Sequence, residues 1–345
     1  MKVANKVGPL IGILTTKETS SNFYGNRTVF KKIQSRLQER GGISFVFTPE
    51  AIQEKKVEGY LFDQGIWRKY IFPLPDIIYN RIGSYHGERG KGIKLARKIA
   101  VRNAIPLYNP HFFEKWETYC ILNANQTLAK YLPETEFLSN RDQFKRQLDK
   151  VKATFIKPVL SNRGAGTFVF SKEANFYKIQ TNNWQKQFPF FEDAFEELQI
   201  NVKARKMIIQ EKITLKKYQG CPYDLRILVQ RVKSNWTVSG IGVRLAKKDA
   251  ITTHTKHGGK IIPLDVISDD LNFEVIEQLA KNVSTELEKG YGYLCEFSID
   301  LGVDEANHYW ILEINAKPMK FDEPHIQEKA IDTLIDCFCK DAGFS

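Results

Sequence analysis

The chain has no apolar run approaching the roughly 20 residues that a membrane-spanning helix needs. It has only five cysteines, Cys120, Cys221, Cys295, Cys337 and Cys339, an odd set without a Cys-x-x-Cys pair. That excludes a disulfide framework or a zinc ribbon and points to reduced thiols in a cytoplasmic protein. There is no excess of Gly, Pro or Gln and no internal repeat, which excludes disordered, fibrous and solenoid classes. The apolar patch at residues 9–14 lacks the length and small-residue cleavage site of a signal peptide. Although the net charge is +11, no block of like charge forms a nucleic-acid arm. An anionic ligand is expected instead, with neither membrane nor nucleic acid as partner.

With 345 residues, the chain is long enough for two or three domains. Residues 8–15 read as a buried strand, Gly25 to Arg40 carries apolar residues at helical spacing, and ISFVFTP reads as a second strand. GYLFDQGIWRKYIF reads as a hairpin turning at Asp63-Gln64-Gly65. DIIYNR then delivers Asn80 and Arg81 to a loop over residues 82–92 with four glycines, either an anion or substrate contact or a solvated loop. Further on, the spacing predicts a single helix from Phe112 to Tyr131, a helix from Arg141 to Lys150, and one strand plus an acidic helix within 175–205. The strands MIIQEKI, YDLRILVQRV and WTVSGIGVRL follow, then a helix from Phe273 to Lys289 and a last one from Pro324 to Asp341.

Two stretches carry chemistry. YWILEIN ends on Glu313 and Asn315, whose strand spacing places both on one face. CEFSIDLG carries Asp300 on a second strand. Hard oxygen donors of this kind suit magnesium shared with substrate phosphates. In FIKPVLSNRGAGTFVF, Lys157 ends an apolar strand, and Ser161, Gly164 and Gly166 make a loop whose backbone N–H groups can face an anion. It is not a P-loop, because no Gly-Lys-Ser/Thr opens a helix there. A plain glycine-rich hairpin is the alternative.

Lys115, Lys157 with its glycine loop, IIQEKI, Asp-Leu-Arg and the Asp300, Glu313, Asn315 set occur in an order that resembles the ATP-grasp superfamily. FFEKWETYCIL, YLPET, IKPVLSNRGAG, YDLRILVQ, ILEINAKP, KFDEP and, in the front part, YNRIG are similar to the YheC/YheD-like, endospore coat-associated ATP-grasp family. The resemblance implies an N-terminal α/β domain over 1–110 and an ATP-grasp domain of α+β subdomains over 111–345. Residues 111–210 would hold the glycine loop, and residues 211–345 the metal site.

The same resemblance puts Lys115 and Lys157 on the nucleotide phosphates under the loop of Ser161, Gly164 and Gly166. Gln210, Glu211 and Ile213 would form the adenine-binding hinge, largely through backbone groups. Arg226 and Arg244 would face the transferred phosphoryl group. Asp300, Glu313 and Asn315 would hold two Mg²⁺, with Mn²⁺ as a substitute. His254, in ITTHTKHGG, stands where related ligases carry Asn.

The implied activity is an ATP-dependent carboxylate–amine ligase, with unidentified carboxylate and amine substrates and an association with the spore coat. Such chemistry needs no protein nucleophile, consistent with the lack of a Ser-His-Asp or Cys-His constellation. A coat protein with an inactive ATP-grasp fold and an ATP-grasp kinase are the alternatives. Simpler readings also exist for single residues: Lys115 as a surface lysine, Asp224 as a support for Arg226, Lys317 as a salt-bridge partner of Asp300 or Glu313, and Glu296 and Asp304 as structural or solvent-facing.

Overall fold

Continuous apolar segments become strands covered on both faces. In the computed structural model, which describes residues 8–18, 22–161, 164–203, 205–248, 250–253, 258–318 and 321–344, β1 (Leu10–Leu14) is buried along its whole length. Helix α1 (Arg27–Gln38) starts at Asn26, whose side chain accepts the Val29 N–H. It leads to β2 (Ile43–Phe47), and the hairpin β3 (Lys56–Asp63) and β4 (Ile66–Pro73) follows as expected. Then come β5 (Ile77–Asn80), the short helix α2 (Tyr85–Glu88), α3 (Lys91–Arg102) and β6 (Leu107–Tyr108). The first sheet has the order β4-β3-β2-β1-β5-β6, parallel from β2 through β6. Phe30, Ile33 and Leu37 of α1 cover one face, and Ile93, Ala96 and Ile99 of α3 cover the other.

The helix expected from Phe112 to Tyr131 is two helices, α4 (Lys115–Asn123) and α5 (Gln126–Ala129). The break lies at Asn125, whose carboxamide accepts the N–H groups of Thr127 and Leu128. An asparagine that can cap a new helix competes with continuation of the old one, and periodicity alone does not register this.

The second sheet contains β7 (Thr135–Phe137), β8 (Ala153–Pro158), β9 (Phe168–Lys172), β10 (Tyr177–Gln180), β11 (Gln185–Phe188) and β12 (Met207–Glu211). Its order is β11-β10-β9-β8-β12-β7, and all its pairs are antiparallel. Residues 175–205 thus hold two strands rather than one, because the Thr181 hydroxyl accepts the Asn183 and Trp184 N–H groups and turns the chain. Helices α6 (Arg141–Val151) and α7 (Phe191–Val202) bury Phe144, Leu148, Phe191 and Phe195 against Ile156, Met207 and Ile209. Strand alternation sends Phe155, Lys157 and Gln210 to the opposite face.

The third sheet runs β16-β15-β14-β17-β18, with β13 (Lys217–Tyr218) also paired to β14. Its members are β14 (Cys221–Val232), β15 (Asn235–Leu245), β16 (Lys260–Ile262), β17 (Glu296–Val303) and β18 (Tyr309–Asn315). Helix α8 (Phe273–Tyr291) packs Ile276, Leu279, Val283 and Leu287 with Leu225, Ile227, Phe297 and Ile299 of the sheet. The other side of the same alternation carries Asp224, Arg226, Arg244, Asp300 and Glu313. The final helix, α9 (Pro324–Asp341), places Ile331, Leu334, Ile335 and Phe338 in the core beneath α1 and the first sheet. The last segment of the chain therefore ties the front domain to the third sheet.

Candidate active site

A cavity of about 310 Å³ lies between the second and third sheets. Lys115, Lys157, Ser161, Gly164, Gln210, Glu211, Ile213, Arg244, Asp300 and Glu313 all line it. Residues scattered from 115 to 313 converge because two antiparallel sheets turn their polar faces toward one another. Gly166, Arg226 and Asn315 do not line it.

Asp300 and Glu313 are direct cross-strand partners on β17 and β18. The register shifts just beyond them, with Leu301 opposite Ile311, so Leu312 is an extra residue and reaches the cavity beside Glu313. Asn315 pairs instead with Ser298, farther along the strands.

Three cations serve these carboxylates and the loop. The Lys115 ammonium donates to the Ser161 carbonyl at 3.0 Å and to Glu313 Oε1 at 3.2 Å, tethering the glycine loop to the strand floor. Lys157 donates to Gln210 Oε1 at 2.6 Å. Burial lowers the Lys157 pKa to about 8, with Lys115 adding to that effect and the Glu313 and Asp300 carboxylates opposing it. An entering anion would be drawn to this under-compensated ammonium.

Arg244 is buried and makes two parallel hydrogen bonds of 2.8 Å to Asp224, through Nε and Nη2. Its Nη2 also lies 3.0 Å from Asp300 Oδ2. Burial pulls the guanidinium pKa down, but Asp224 and Asp300 outweigh it and the net shift is upward. Its Nη1 is buried without a hydrogen-bond partner among the described residues. A guanidinium fixed on one edge with the other edge unused suits a phosphoryl oxygen.

Some single-residue expectations change, while Glu296 and Asp304 take the structural one of their two expected readings. Asp224 supports Arg244, its cross-strand partner, and makes no ion pair with Arg226. Thr253 adds a 2.6 Å hydrogen bond to the same Asp224 carboxylate. Lys317 pairs with Glu88 in the front domain, not with Asp300 or Glu313. Glu296 is buried and bonded to Tyr79, Arg81 and Gln230, so it does not face solvent. Asp304 is structural, accepting the Ala306 and His308 N–H groups and the Trp310 indole. His254 lies outside the described residues.

The stretch after Arg81 is not an open loop. Glu88 of α2 is buried and accepts from Asn80, the Phe112 N–H and Lys317. Arg81 reaches Glu296 at 3.2 Å and the Pro318 carbonyl at 2.9 Å. Both residues anchor the end of the Glu313 strand to the first sheet. Gly164 and Gly166 have φ of +71° and +72°, which the loop's turn requires. At Gly166 an added Cβ would lie 2.6 Å from the Arg205 guanidinium, so that glycine serves packing under the loop.

The model of the YheC/D-like ATP-grasp family matches residues 104–340. The chain belongs to that family. It is 28% identical to the endospore coat-associated protein YheD of Bacillus subtilis (strain 168), with 95% of this chain and 76% of that protein covered. Identity to the endospore coat-associated protein YheC of the same organism is 22%, with 86% of each covered. Among solved structures, D-alanyl-alanine synthetase A from Vibrio cholerae is similar with a TM-score of 0.61 at 11% identity, over 98% of this chain and 99% of that one. The D-alanine-D-alanine ligase from Coxiella burnetii gives 0.54 at 14%, over 97% of both. At these identities the likeness shows the ATP-grasp fold, an α/β domain followed by two α+β subdomains.

In this YheC/D-like chain, sequence reasoning missed Asp224 as the holder of Arg244, and missed Thr167, Lys212 and Thr253 in the cavity wall. Strand parity puts Asp224 on the cavity face, but only the β14–β15 register pairs it with Arg244. Asp224 and Arg226 share a face, and that face carries Asp300 on the neighbouring strand.

Among the described residues no cluster of three or more His, Cys, Asp or Glu side chains could hold a metal ion. Asp300 and Glu313 nevertheless supply two hard oxygen donors on one cavity wall, which fits an ion that takes its remaining ligands from phosphate and water. No helix among the described residues is long and apolar enough to cross a membrane.

Proposed function

We propose that the protein is a Mg²⁺-dependent ligase that joins a carboxylate to an amine at the expense of ATP. The convergence of Lys115, Lys157 and Arg244 with Asp300 and Glu313 in one cavity carries this reading. ATP is a substrate, its adenine held against the Gln210, Glu211 and Ile213 segment and its phosphates by Lys115, Lys157 and the loop of Ser161, Gly164 and Gly166. Asp300 and Glu313, with Asn315 at the strand end, would hold the metal. When bound, Mg²⁺ (or Mn²⁺) neutralises phosphate charge and polarises the γ-phosphoryl group.

A carboxylate oxygen attacks the γ-phosphorus, the bond to the β-bridging oxygen breaks, and ADP departs with that electron pair. The amine nitrogen then attacks the carbonyl carbon, the carbon–oxygen bond to phosphate breaks, inorganic phosphate leaves, and the nitrogen's proton passes to solvent. Arg244, held by Asp224, directs Nη1 at the oxygens that gain charge; Arg226 sits one position along the same face to steady the acyl group. Positioning and charge account for the catalysis.

The names of the YheD and YheC relatives favour a location on or in transit to the spore coat. The test is incubation with ATP, Mg²⁺ and pools of carboxylates and amines. ADP release requiring both supports the ligase. ADP with a phosphorylated hydroxyl product would mean a kinase, and failure of ATP or ADP to raise the melting temperature would remove both.

A further inference from the structure

Both carboxylates proposed for the metal already serve a side-chain cation. Glu313 Oε1 accepts from the Lys115 ammonium at 3.2 Å, and Asp300 Oδ2 lies 3.0 Å from Arg244 Nη2. The two pairs differ in what else holds the cation. Arg244 is fixed by its two hydrogen bonds to Asp224, so it stays in place whatever Asp300 does. Lys115 has no carboxylate besides Glu313; its other acceptor is the Ser161 carbonyl, at 3.0 Å.

The Lys115 contact is well sheltered. Only 11% of the Lys115 side chain and 21% of the Glu313 side chain are exposed, so the pair is less screened by water than a surface ion pair. The backbone at Lys115 is anchored too, because the residue opens α4 and its N–H donates to the Val159 carbonyl just beyond β8. The ammonium therefore reaches Glu313 from a fixed base.

A divalent cation on the same oxygen conflicts with this arrangement. Ligated at about 2.1 Å, it would stand at most roughly 5 Å from an ammonium 3.2 Å from that oxygen, and the two would repel. The Lys157 ammonium, which feels Glu313, Asp300 and Lys115 together, adds a further positive charge nearby. Nucleotide phosphate reverses the balance. Its oxygens offer Lys115 a more highly charged acceptor than one carboxylate oxygen, and they supply ligands to the cation as well.

We propose that Lys115 gates the metal site: its ammonium keeps divalent cations from Glu313 until nucleotide phosphate draws it away, so the cation enters with the nucleotide or after it. The same movement releases the Ser161 carbonyl, which links the glycine loop to metal entry. The inference rests on the metal role that the ligase reading gives Glu313, but it is measured by binding without turnover.

The test uses the full chain and Mn²⁺, whose aqueous electron paramagnetic resonance signal is lost on binding. Wild-type protein alone is expected to bind Mn²⁺ at least about tenfold more weakly than with ADP present, within the usual range for coupled ligands. Lys115→Met and Lys115→Gln are each expected to raise the nucleotide-free Mn²⁺ affinity by about tenfold, the same scale of coupling. Adding Glu313→Gln to either should remove that gain. Lys157→Met removes equal charge from the cavity but breaks a hydrogen bond to Gln210, not to Glu313, and is expected to give a much smaller gain.

Four results would each overturn the proposal: equal Mn²⁺ affinity with and without ADP in the wild-type chain, no gain in either Lys115 variant, a gain that survives Glu313→Gln, or an equal gain from Lys157→Met. If Mn²⁺ binds as described but no carboxylate–amine pair drives ADP release, the ligase reading falls and the gate stands. If ligation occurs while neither Lys115 variant alters nucleotide-free Mn²⁺ binding, the ligase reading stands and the gate falls.

Discussion

Asp224 and Arg244 face one another across β14 and β15 and are joined by two hydrogen bonds of 2.8 Å, with Asp300 3.0 Å from the same guanidinium. This fixes one edge of Arg244 and leaves Nη1 without a hydrogen-bond partner among the described residues. Asp224→Asn removes the bidentate acceptor while the buried guanidinium remains. Stability is expected to fall by about 3 kcal/mol, measured by urea unfolding. Turnover is expected to fall about a hundredfold, as for loss of one electrostatic contact to the transition state. Wild-type turnover in this variant would remove Arg244 from the proposed mechanism.

Lys157 supplies a pH signature. In the proposed function its ammonium must be charged to hold phosphate, and burial lowers its pKa to about 8 from the ordinary 10.5. The ADP-induced rise in melting temperature should therefore shrink between pH 7 and pH 9. Without nucleotide the sign reverses. Between about 8 and 10.5 the unfolded chain holds the proton that the folded chain has released, so this group's contribution to stability rises with pH. Lys317, also lowered to about 8 by burial against the opposing pull of Glu88, adds to the same slope. Lys157→Met should abolish the pH dependence of the nucleotide effect and leave the Lys317 part of the slope.

Glu88 and Lys317 form a buried ion pair between α2 and the segment that follows β18. Glu88→Gln leaves a buried ammonium without its carboxylate and is expected to cost about 3–5 kcal/mol. Lys317→Met in the Glu88→Gln background should recover a substantial part of that loss. Simple additivity of the two substitutions, measured as a double-mutant cycle, would show that the pair is not coupled.

Glu313→Gln preserves size and the cross-strand position beside Asp300 but removes the carboxylate that pairs with Lys115 and one of the two proposed for a metal. Turnover is expected to vanish at saturating Mg²⁺, while metal-free ADP still raises the melting temperature. Full activity would refute a metal role for Glu313.

Phe338 is fully buried at the junction of α9 with the front domain, 5.4 Å between ring centroids from Tyr79. Phe338→Ala is expected to destabilise by about 3–5 kcal/mol. Limited proteolysis should then cut α9 faster than α8. Equal protection of both helices would show that α9 does not close the molecule.

Much of the fold was legible because it depends on local pattern. The β3–β4 hairpin, the antiparallel β8–β9 pair and the bounds of α9 all follow from alternation, turn residues and helical spacing. The Asn125 break and the Thr181 turn were not, since each depends on a side chain taking a backbone hydrogen bond that periodicity does not weigh. In the site, Lys115, Lys157, Gly164, Asp300 and Glu313 were visible as unusual polar residues at the ends of apolar strands or beside a glycine loop. Asp224 was assigned to Arg226 because they are neighbours in sequence; the antiparallel register gives it to Arg244, twenty positions away.

Sequence alone determined the family, the alternation that turns one face of each strand to the core, and the oxygen and cationic groups available for nucleotide and metal. These depend on residue type and spacing within a few positions. Tertiary structure decided which cation meets which carboxylate, that Lys317 belongs to Glu88, and that Asn315 stands opposite Ser298. Those outcomes depend on strand register, a one-residue bulge at Leu312 and the docking of α9 on the first sheet. Each is set by packing between segments distant in the chain, where no local pattern carries the information.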